Sequence, residues 1–382
     1  MITGSHTQYF SPDLLMRVNA NFVTDPDYLQ QLSNSGAQRA LPSNESNLLA
    51  TQRLAYGNAY LISQYLQPLQ AGGTDTFQRL PEVGYNLPNL SLFDSPLLFG
   101  AEANAVNFYR EEGFAQHRLD AVPGFSTDVI DFGHMVGFTP QGKFREVYYT
   151  RGAEETSSQH RETFWAAIDA TSKLSRRFGT GDGNAMLHTL EPSVMYEYVP
   201  ATDQSKLTQI DQVDDLPKKN LMTYMLRSRL LEQDGDSSFN WLDLTMAQSY
   251  HVGAVQTQAR DFTPGVQPIL GSITQPLQPA MVAIEGKKFS DFWLRAVIGN
   301  NDPQITQVQQ AAALGFGRGA GASPSFKPVI NRYLTVDAFF DPYRTTFSQF
   351  NTDFRVQQSN DWYIDVGQRY SRDGNRVRRG DV

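Results

Sequence analysis

The sequence contains no cysteine, which removes a disulfide framework and thiolate metal ligation. Charge is also scarce: Asp, Glu, Lys and Arg make up 19% of 382 residues, below the roughly 25% of ordinary soluble domains. No stretch approaches the roughly 18 consecutive apolar residues that a membrane helix needs, and mean hydropathy is negative, so a helical membrane protein is excluded. Strands that bring only every second residue to lipid are not. The net charge of −8 argues against an extended nucleic-acid surface, and the one basic run, RVRRGDV, stands at the end of the chain. The opening MITGSHTQYFSPDLL has no charged region followed by an apolar stretch, so no secretory signal is expected: a cytoplasmic protein, or a piece of a longer one.

Aromatics, by contrast, are plentiful, with 24 Phe, 17 Tyr and 4 Trp. Apolar and polar residues alternate with period two from end to end, which is the signature of strands whose successive side chains point to opposite faces. In LMRVNANFV, Val18, Ala20 and Phe22 oppose Arg17, Asn19 and Asn21. In TFWAAIDATSKLS, Phe164, Ala166, Ile168, Ala170 and Leu174 oppose Asp169, Thr171 and Lys173. Phe350 to Arg372 reads as a hairpin about Ser359 and Asn360, with Phe354, Val356, Trp362, Ile364 and Val366 on the apolar face. Gly57 and Asn58, between LLATQRLAY and AYLISQYL, suit a tight primed turn.

The apolar face has two physical interpretations. A sandwich would bury it and leave the mid-strand charges on a solvated sheet face. A large barrel would turn it to lipid and line a wet lumen with the charges. Strand ends bearing Tyr148, Tyr149, Tyr196, Tyr198, Trp241 and Trp362 fit aromatic girdles at bilayer interfaces and favour the barrel. Tight turns alternate loosely with long polar loops such as Ala201 to Asn220 and Ala254 to Gln278, as barrel rims require.

Reactive constellations are few. The histidines His6, His117, His134, His160, His188 and His251 have no metal-ligand spacing, and no metal or other cofactor is expected. LGFGRGAGASP, Leu314 to Pro324, lacks the strand-turn-helix setting of a phosphate loop and reads as a plain loop. No nucleophile elbow or triad can be argued, so no enzyme is expected. Asp203, Asp211, Asp214 and Asp215 crowd one connection; their spacing does not match a calcium loop, and a solvated extracellular loop is the expectation.

Certain segments carry a family resemblance. HTLEPSVMYEYVPATDQ (His188 to Gln204), followed by LMTYMLRSRLLEQ, resembles the LEP strand, Tyr-rich segment and polar loop of the lipopolysaccharide-assembly family LptD (OstA). FQRLPEV (Phe77 to Val83) resembles that family's RLPE strand entry, and FVTDPDYLQQLS (Phe22 to Ser33) its preceding Asp-rich segment. The order matches too, across roughly Ala20 to Arg372. MLRSRLLEQDGD departs from the strand that bears N-R-F-S-G in many members, and NRVRRGDV lacks an aromatic-ended closing strand.

The resemblance implies an all-β antiparallel transmembrane β-barrel, present here as an incomplete part of a large barrel spanning residues 1–382, with the N-terminal jelly roll and closing C-terminal strands outside the chain. It implies non-enzymatic transport in the outer membrane: lipopolysaccharide arrives over a periplasmic Lpt bridge through the jelly roll and is inserted into the outer leaflet. Its saccharide would pass a polar lumen holding an LptE-like plug lipoprotein and leave by a lateral gate, while outer-membrane lipid surrounds the wall. On this reading the lumen-facing candidates are Arg17, Asn19, Asn21, Glu102, Asn104, Asp169, Lys173, Arg227, Arg229, Asp353, Arg355, Asp365 and Arg369. A general porin or receptor barrel is the alternative within transport, and a soluble β-sandwich carbohydrate-binding module the alternative outside it.

Overall fold

The computed structural model describes residues 2–28, 43–69, 76–113, 115–150, 157–179, 185–204, 207, 210, 211, 213, 214, 216, 218–234, 237–253, 287–299, 331–357, 363–373 and 376–379. Their strands are β1 (Ile2–Ser11), β2 (Leu14–Phe22), β3 (Ser43–Leu54), β4 (Gly57–Pro68), β5 (Gln78–Ser91), β6 (Leu97–Tyr109), β7 (Gln116–Thr127), β8 (Ile130–Phe132), β9 (Val136–Tyr149), β10 (Gln159–Thr171), β11 (Leu174–Gly179), β12 (Ala185–Val199), β13 (Lys219–Asp234), β14 (Ser237–His251), β15 (Phe292–Gly299), β16 (Asn331–Asp341), β17 (Thr346–Gln357), β18 (Tyr363–Asp373) and β19 (Arg376–Arg379). All belong to one 19-stranded sheet. β8 prolongs β7 along the same partner, β9, and β11 prolongs β10 along β12. Otherwise each strand pairs antiparallel with its neighbour in the chain, the meander that short connections permit.

The ladders fix which residues share a face, because directly paired residues point the same way. Starting from Arg118 on β7, the register runs through Tyr149, Gln159, Val147 and Arg161 on one side and through Val106 and Glu82 on the other. This inner face carries buried Arg118, Asp120, Arg145, Arg161 and Thr163. The outer face carries large apolar side chains left open: Leu119, Phe125, Phe144, Phe164, Ile168, Val194, Met222, Phe354, Ile364 and Val366. Among the described residues no second sheet covers them, and the fold is the inverse of a water-soluble sandwich.

Register shifts occur in the β4–β5, β5–β6, β13–β14 and β16–β17 ladders. Each is local, and none moves a lumen-facing candidate to the other face. The tight turn between β3 and β4 lies at Ala55 and Tyr56, because Leu54 pairs Gly57; the sequence expectation had put it at Gly57 and Asn58. Gly57 is required for another reason: a Cβ there would lie 2.4 Å from the Asn86 carbonyl oxygen of β5. Close approach of a third strand, not turn geometry, selects glycine.

Connections on one rim are mostly short, as at 12–13, 55–56, 92–96 and 133–135, whereas those on the other include 23–42, 69–77, 150–158, 200–218 and 252–291. The pattern reverses across β15 to β17, where 300–330 is long and 342–345 short. Among the described residues no ladder joins β1 to β18 or β19. No described helix is long and apolar enough to cross a membrane; crossing by strands is a separate matter. Trp362, the Ser359–Asn360 turn, Ala254 to Gln278 and the LGFGRGAGASP loop fall outside the described residues.

A charged side chain on the outer face should therefore cost more than the same change on the inner face. Ile168→Arg, on the outer face of β10, is expected to lose about 2–4 kcal/mol of folding free energy in lipid vesicles, the figure for a bilayer midplane. Thr171→Arg, on the inner face of the same strand, should lose far less. Urea titration of the vesicle-embedded protein checks this, and equal losses would show that the outer face is not in lipid.

Candidate functional site: an arginine cluster under an inward connection

The connection from β12 to β13 was expected to be a solvated loop, and the structure corrects that. Asp211 and Asp214 are fully buried, and Leu207, Ile210, Val213 and Leu216 are buried too. The segment folds across the inner face instead of standing away from the rim. Its apolar residues recur at every third position, and three of them join apolar clusters on the wall. Ile210 packs with Leu66, Phe77, Val106 and Phe108, Leu216 with Trp165, Ala167 and Val199, and Leu207 with Val147 and Tyr149. Burying a side chain of this size contributes on the order of 1.5–3 kcal/mol, so these contacts compete well with the entropy of ordering the segment.

The turn that carries the acids meets arginines from three wall strands, β5, β7 and β10. Arg118 of β7 is bidentate to Asp211, with Nη1 2.8 Å from Oδ1 and Nη2 3.0 Å from Oδ2. The same Nη1 lies 2.8 Å from Asp214 Oδ1. Arg79 of β5 reaches Asp211 Oδ2 at 3.4 Å and its strand neighbour Glu82 at 3.2 Å. Tyr149 of β9 donates its hydroxyl to Asp214 Oδ1 at 2.7 Å. Arg161 of β10 donates to the carbonyl oxygens of Asp214 and Val213 at 2.6 and 3.0 Å and to Gln204 Oε1 at 2.7 Å. Beside them Arg145 and Asp120 form a two-pronged pair across β9 and β7.

The turn prepares its own carboxylates. Asp214 Oδ2 accepts the N–H groups of Ile210 and Asp211 at 2.9 and 3.0 Å, and Asp211 Oδ1 accepts that of Val213 at 2.9 Å. Gln204 closes the neck by exchanging hydrogen bonds with the backbone of Leu216. Burial alone would push the Asp214 pKa up, but the Arg118 guanidinium, the Asp211 N–H, the Tyr149 hydroxyl and the Ile210 N–H outweigh it. The carboxyl is held below its usual range. Asp203 is exposed at the start of the connection, and Asp215 lies outside the described residues.

By the ladders, Arg17, Asn19, Asn21, Glu102, Asn104, Asp169, Arg227, Arg229, Asp353, Arg355, Asp365 and Arg369 share the parity of Arg118, and Lys173 lies between β10 and β11. At the first strands Asn19 donates to Asn47 at 3.0 Å, Asn47 to Glu45 at 2.9 Å, and Asn21 to the Glu45 carbonyl at 3.0 Å. With Thr3, Gly4 and Ser5 these residues line a polar cavity of about 700 Å³; Arg17 is the next inner residue along β2. Toward the other end the candidates pair across strands: Arg227 with Asp243, Arg229 with Glu191, Lys173 with Glu191 at 3.8 Å, Arg355 with Asp365, and Arg369 with Asp353 at 2.7 Å. Glu102 and Asn104 lie opposite Val122 and Asp120, between these regions. Asp169 Oδ1 is buried and has no hydrogen-bond partner among the described residues.

The candidate set left out Arg79, Arg118, Arg145, Arg161 and Glu197, which accepts from Trp165 Nε1 at 3.0 Å. The alternation of QHRLDAV, with Arg118 and Asp120 on one parity, was the signal available. Of the expected girdle, Tyr148 and Tyr196 are open on the outer face and Trp241 is exposed near the opposite rim. Tyr198 packs on Phe164 there. Tyr149 is corrected: its parity turns it inward, to Asp214.

Removing Arg118 would strand two buried carboxylates, a loss of about 3–5 kcal/mol for such a pair. Arg118→Gln should therefore expose residues 207–216 to hydrogen exchange while the strands stay protected. In the unmodified protein the same segment should respond to acid. A depressed Asp214 pKa stabilises docking above the unfolded value of about 3.9 and stops doing so as pH falls through the folded value. Protection is expected to hold at about pH 5 and to fall below about pH 4; full protection in the variant, or a pH-independent segment, contradicts the geometry.

Comparison with known proteins places this architecture. The family model described as "LptD: LPS transport system D" matches residues 1–296, a span that contains the whole cluster. The LPS-assembly protein LptD of Coxiella burnetii is 26% identical over 320 residues, covering 71% of this chain and 35% of that protein. The Methylococcus capsulatus protein of the same name is 25% identical over 250 residues, 59% of this chain and 24% of that protein. That of Thiobacillus denitrificans is 24% identical over 344 residues, 81% of this chain and 45% of that protein. The chain thus spans less than half the length of these curated relatives. With well over half of its residues matched by the family model and a sheet of the kind that builds outer-membrane barrels, the chain belongs to the LptD family.

Proposed function

We propose that this chain forms part of an outer-membrane barrel wall that delivers lipopolysaccharide to the outer leaflet. The observation that carries the reading is the sheet's two-sidedness: an outer face dominated by open apolar side chains, and an inner face lined with paired charges and amides. Transport needs no covalent chemistry on this scheme. Acyl chains enter lipid without crossing the lumen, while the saccharide travels along the inner face, where Asn19, Asn21, Glu102, Asn104, Asp169 and the cross-strand ion pairs keep water and offer hydrogen bonds. Arg17, Lys173, Arg227, Arg229, Asp353, Arg355, Asp365 and Arg369 complete that polar lining. A soluble carbohydrate-binding sandwich is disfavoured by the uncovered outer face, because large open apolar surface in water drives association.

Closing strands, the lateral gate, an N-terminal jelly roll, the Lpt bridge that docks on it and an LptE-like lipoprotein within the lumen are proposed for the whole protein. The reason is length, since this chain matches at most 45% of the relatives compared. The cross-strand pairs on the inner face leave carboxylates and guanidinium groups facing one another, a surface that hydrates well and binds no single saccharide tightly. Weak, repeated contact suits passage better than capture does.

Photo-crosslinking in cells tests the reading. A photoreactive residue at Asn104, Asp169 or Asp353 in the full-length protein should capture lipopolysaccharide through its saccharide. The same residue at Ala105, Ile168 or Phe354, one step along each strand, should capture membrane lipid. Capture of lipopolysaccharide saccharide from the outer positions, and none from the inner ones, would refute the route.

A further inference from the structure

We propose that the arginine cluster on β5, β7, β9 and β10 is a binding site for a phosphorylated ligand, and that Asp211 and Asp214 occupy it as the chain's own phosphate mimic. Arg118 donates to carboxylate oxygens in the forked geometry that guanidinium also offers to phosphate. Oxygens of two different carboxylates converge on one of its nitrogens, each at 2.8 Å. A single phosphate dianion carries the charge of both acids on one compact group.

Charge balance points the same way. Arg79, Arg118, Arg145 and Arg161 face Glu82, Asp120, Asp211 and Asp214, and the last two come from the connection rather than from the wall. When the connection withdraws, two positive charges on the inner face lose their counter-charge. Arg145 keeps Asp120 and Arg79 keeps Glu82, so the excess falls on Arg118 and Arg161. Arg161 meets carbonyl and amide oxygens and forms no ion pair with a carboxylate among the described residues.

The guanidinium groups also hold donors in reserve. Arg79 Nη1, Arg118 Nε, Arg145 Nη1 and Arg161 Nε are buried and make no hydrogen bond among the described residues. Buried donors left unmade are costly, and a phosphate has more acceptor positions than the carboxylates that now sit there. The site is built across four wall strands, so it persists when the connection leaves. The connection is held by separable contacts, Leu207, Ile210 and Leu216 each in its own apolar cluster.

The site rests on the transport reading only for the source of its ligand, which there would be a phosphate ester on a passing saccharide. Its test uses release of the connection and is independent of delivery. This chain has no cysteine, so Val213→Cys in the full-length protein in lipid vesicles places one thiol within it, read by mass-spectrometric mapping. The thiol should be shielded while the connection is docked. Glucose 1-phosphate that binds only the open form should raise its labelling rate about tenfold at about ten times the Kd, by mass action; glucose should leave it unchanged.

Inorganic phosphate extends the comparison: a rise equal to that from the ester shows that phosphate alone is recognised, and a smaller rise shows that the sugar contributes. Both support the site. Asp211→Asn with Asp214→Asn should raise labelling without ligand, and Arg161→Gln, which keeps the ion pairs of Arg118, should weaken the response to ester. Asp13→Cys, in the exposed β1–β2 turn, serves as a folding control with a constant rate. Hydrogen exchange of residues 207–216 in the unmodified protein gives the same readout with no substitution. Identical labelling and exchange with ester, phosphate and glucose would overturn the proposal.

Discussion

A backbone that crosses a bilayer must satisfy each of its N–H and C=O groups within the sheet, since hydrocarbon offers no partner. That constraint accounts for the unbroken antiparallel meander, in which nearly every strand bonds to the strands before and after it. Once the backbone is fixed in this way, the period of two follows. Each strand must present one parity to lipid and the other to the interior, and a slip of one residue would reverse its whole complement. The local shifts near β5, β13 and β16 are tolerated because each side of the shift keeps its own alternation.

The inner face has a second problem to solve, because charged wall residues are expensive once they are withdrawn from water. Two solutions coexist. From β12 to β18 the wall pairs its charges across neighbouring strands, as with Arg227 and Asp243 or Arg369 and Asp353, and leaves them partly open. Under β5 to β10 the charges are buried and need partners from elsewhere, which the β12–β13 connection supplies. Its apolar residues contribute the adhesion and its aspartates the charge balance. A buried pair of this kind contributes little net stability relative to an apolar substitute, but it penalises misplacement strongly. It therefore fixes where the connection sits.

The alternation of single strands was legible in the sequence because it is a local property. TFWAAIDATSKLS and FNTDFRVQQSN assign their faces without knowledge of any neighbour, and the ladders keep those faces together. The ion cluster was not legible in that way. Arg79, Arg118 and Arg161 lie on three strands, and only strand pairing and the curl of the sheet bring them to residues 211 and 214. The connection looked solvated because its acids dominate its composition. Its own signal, Leu207, Ile210, Val213 and Leu216 at intervals of three, is a spacing neither strand nor long helix would use. The Gly57 turn was misplaced for a similar reason, since close approach by Asn86 of β5 is a tertiary fact.

The central claim is that one parity of every wall strand meets lipid and the other faces the interior, open to water where no connection covers it. Spin labels placed singly at residues 350 to 356 of β17, in the full-length protein in lipid vesicles, measure this directly through collision with oxygen and with a water-soluble nickel complex. The account predicts alternation with period two: oxygen contact high at Phe350, Thr352, Phe354 and Val356, and nickel contact higher at Asn351, Asp353 and Arg355. Accessibility without alternation, or with the parities exchanged, would contradict it.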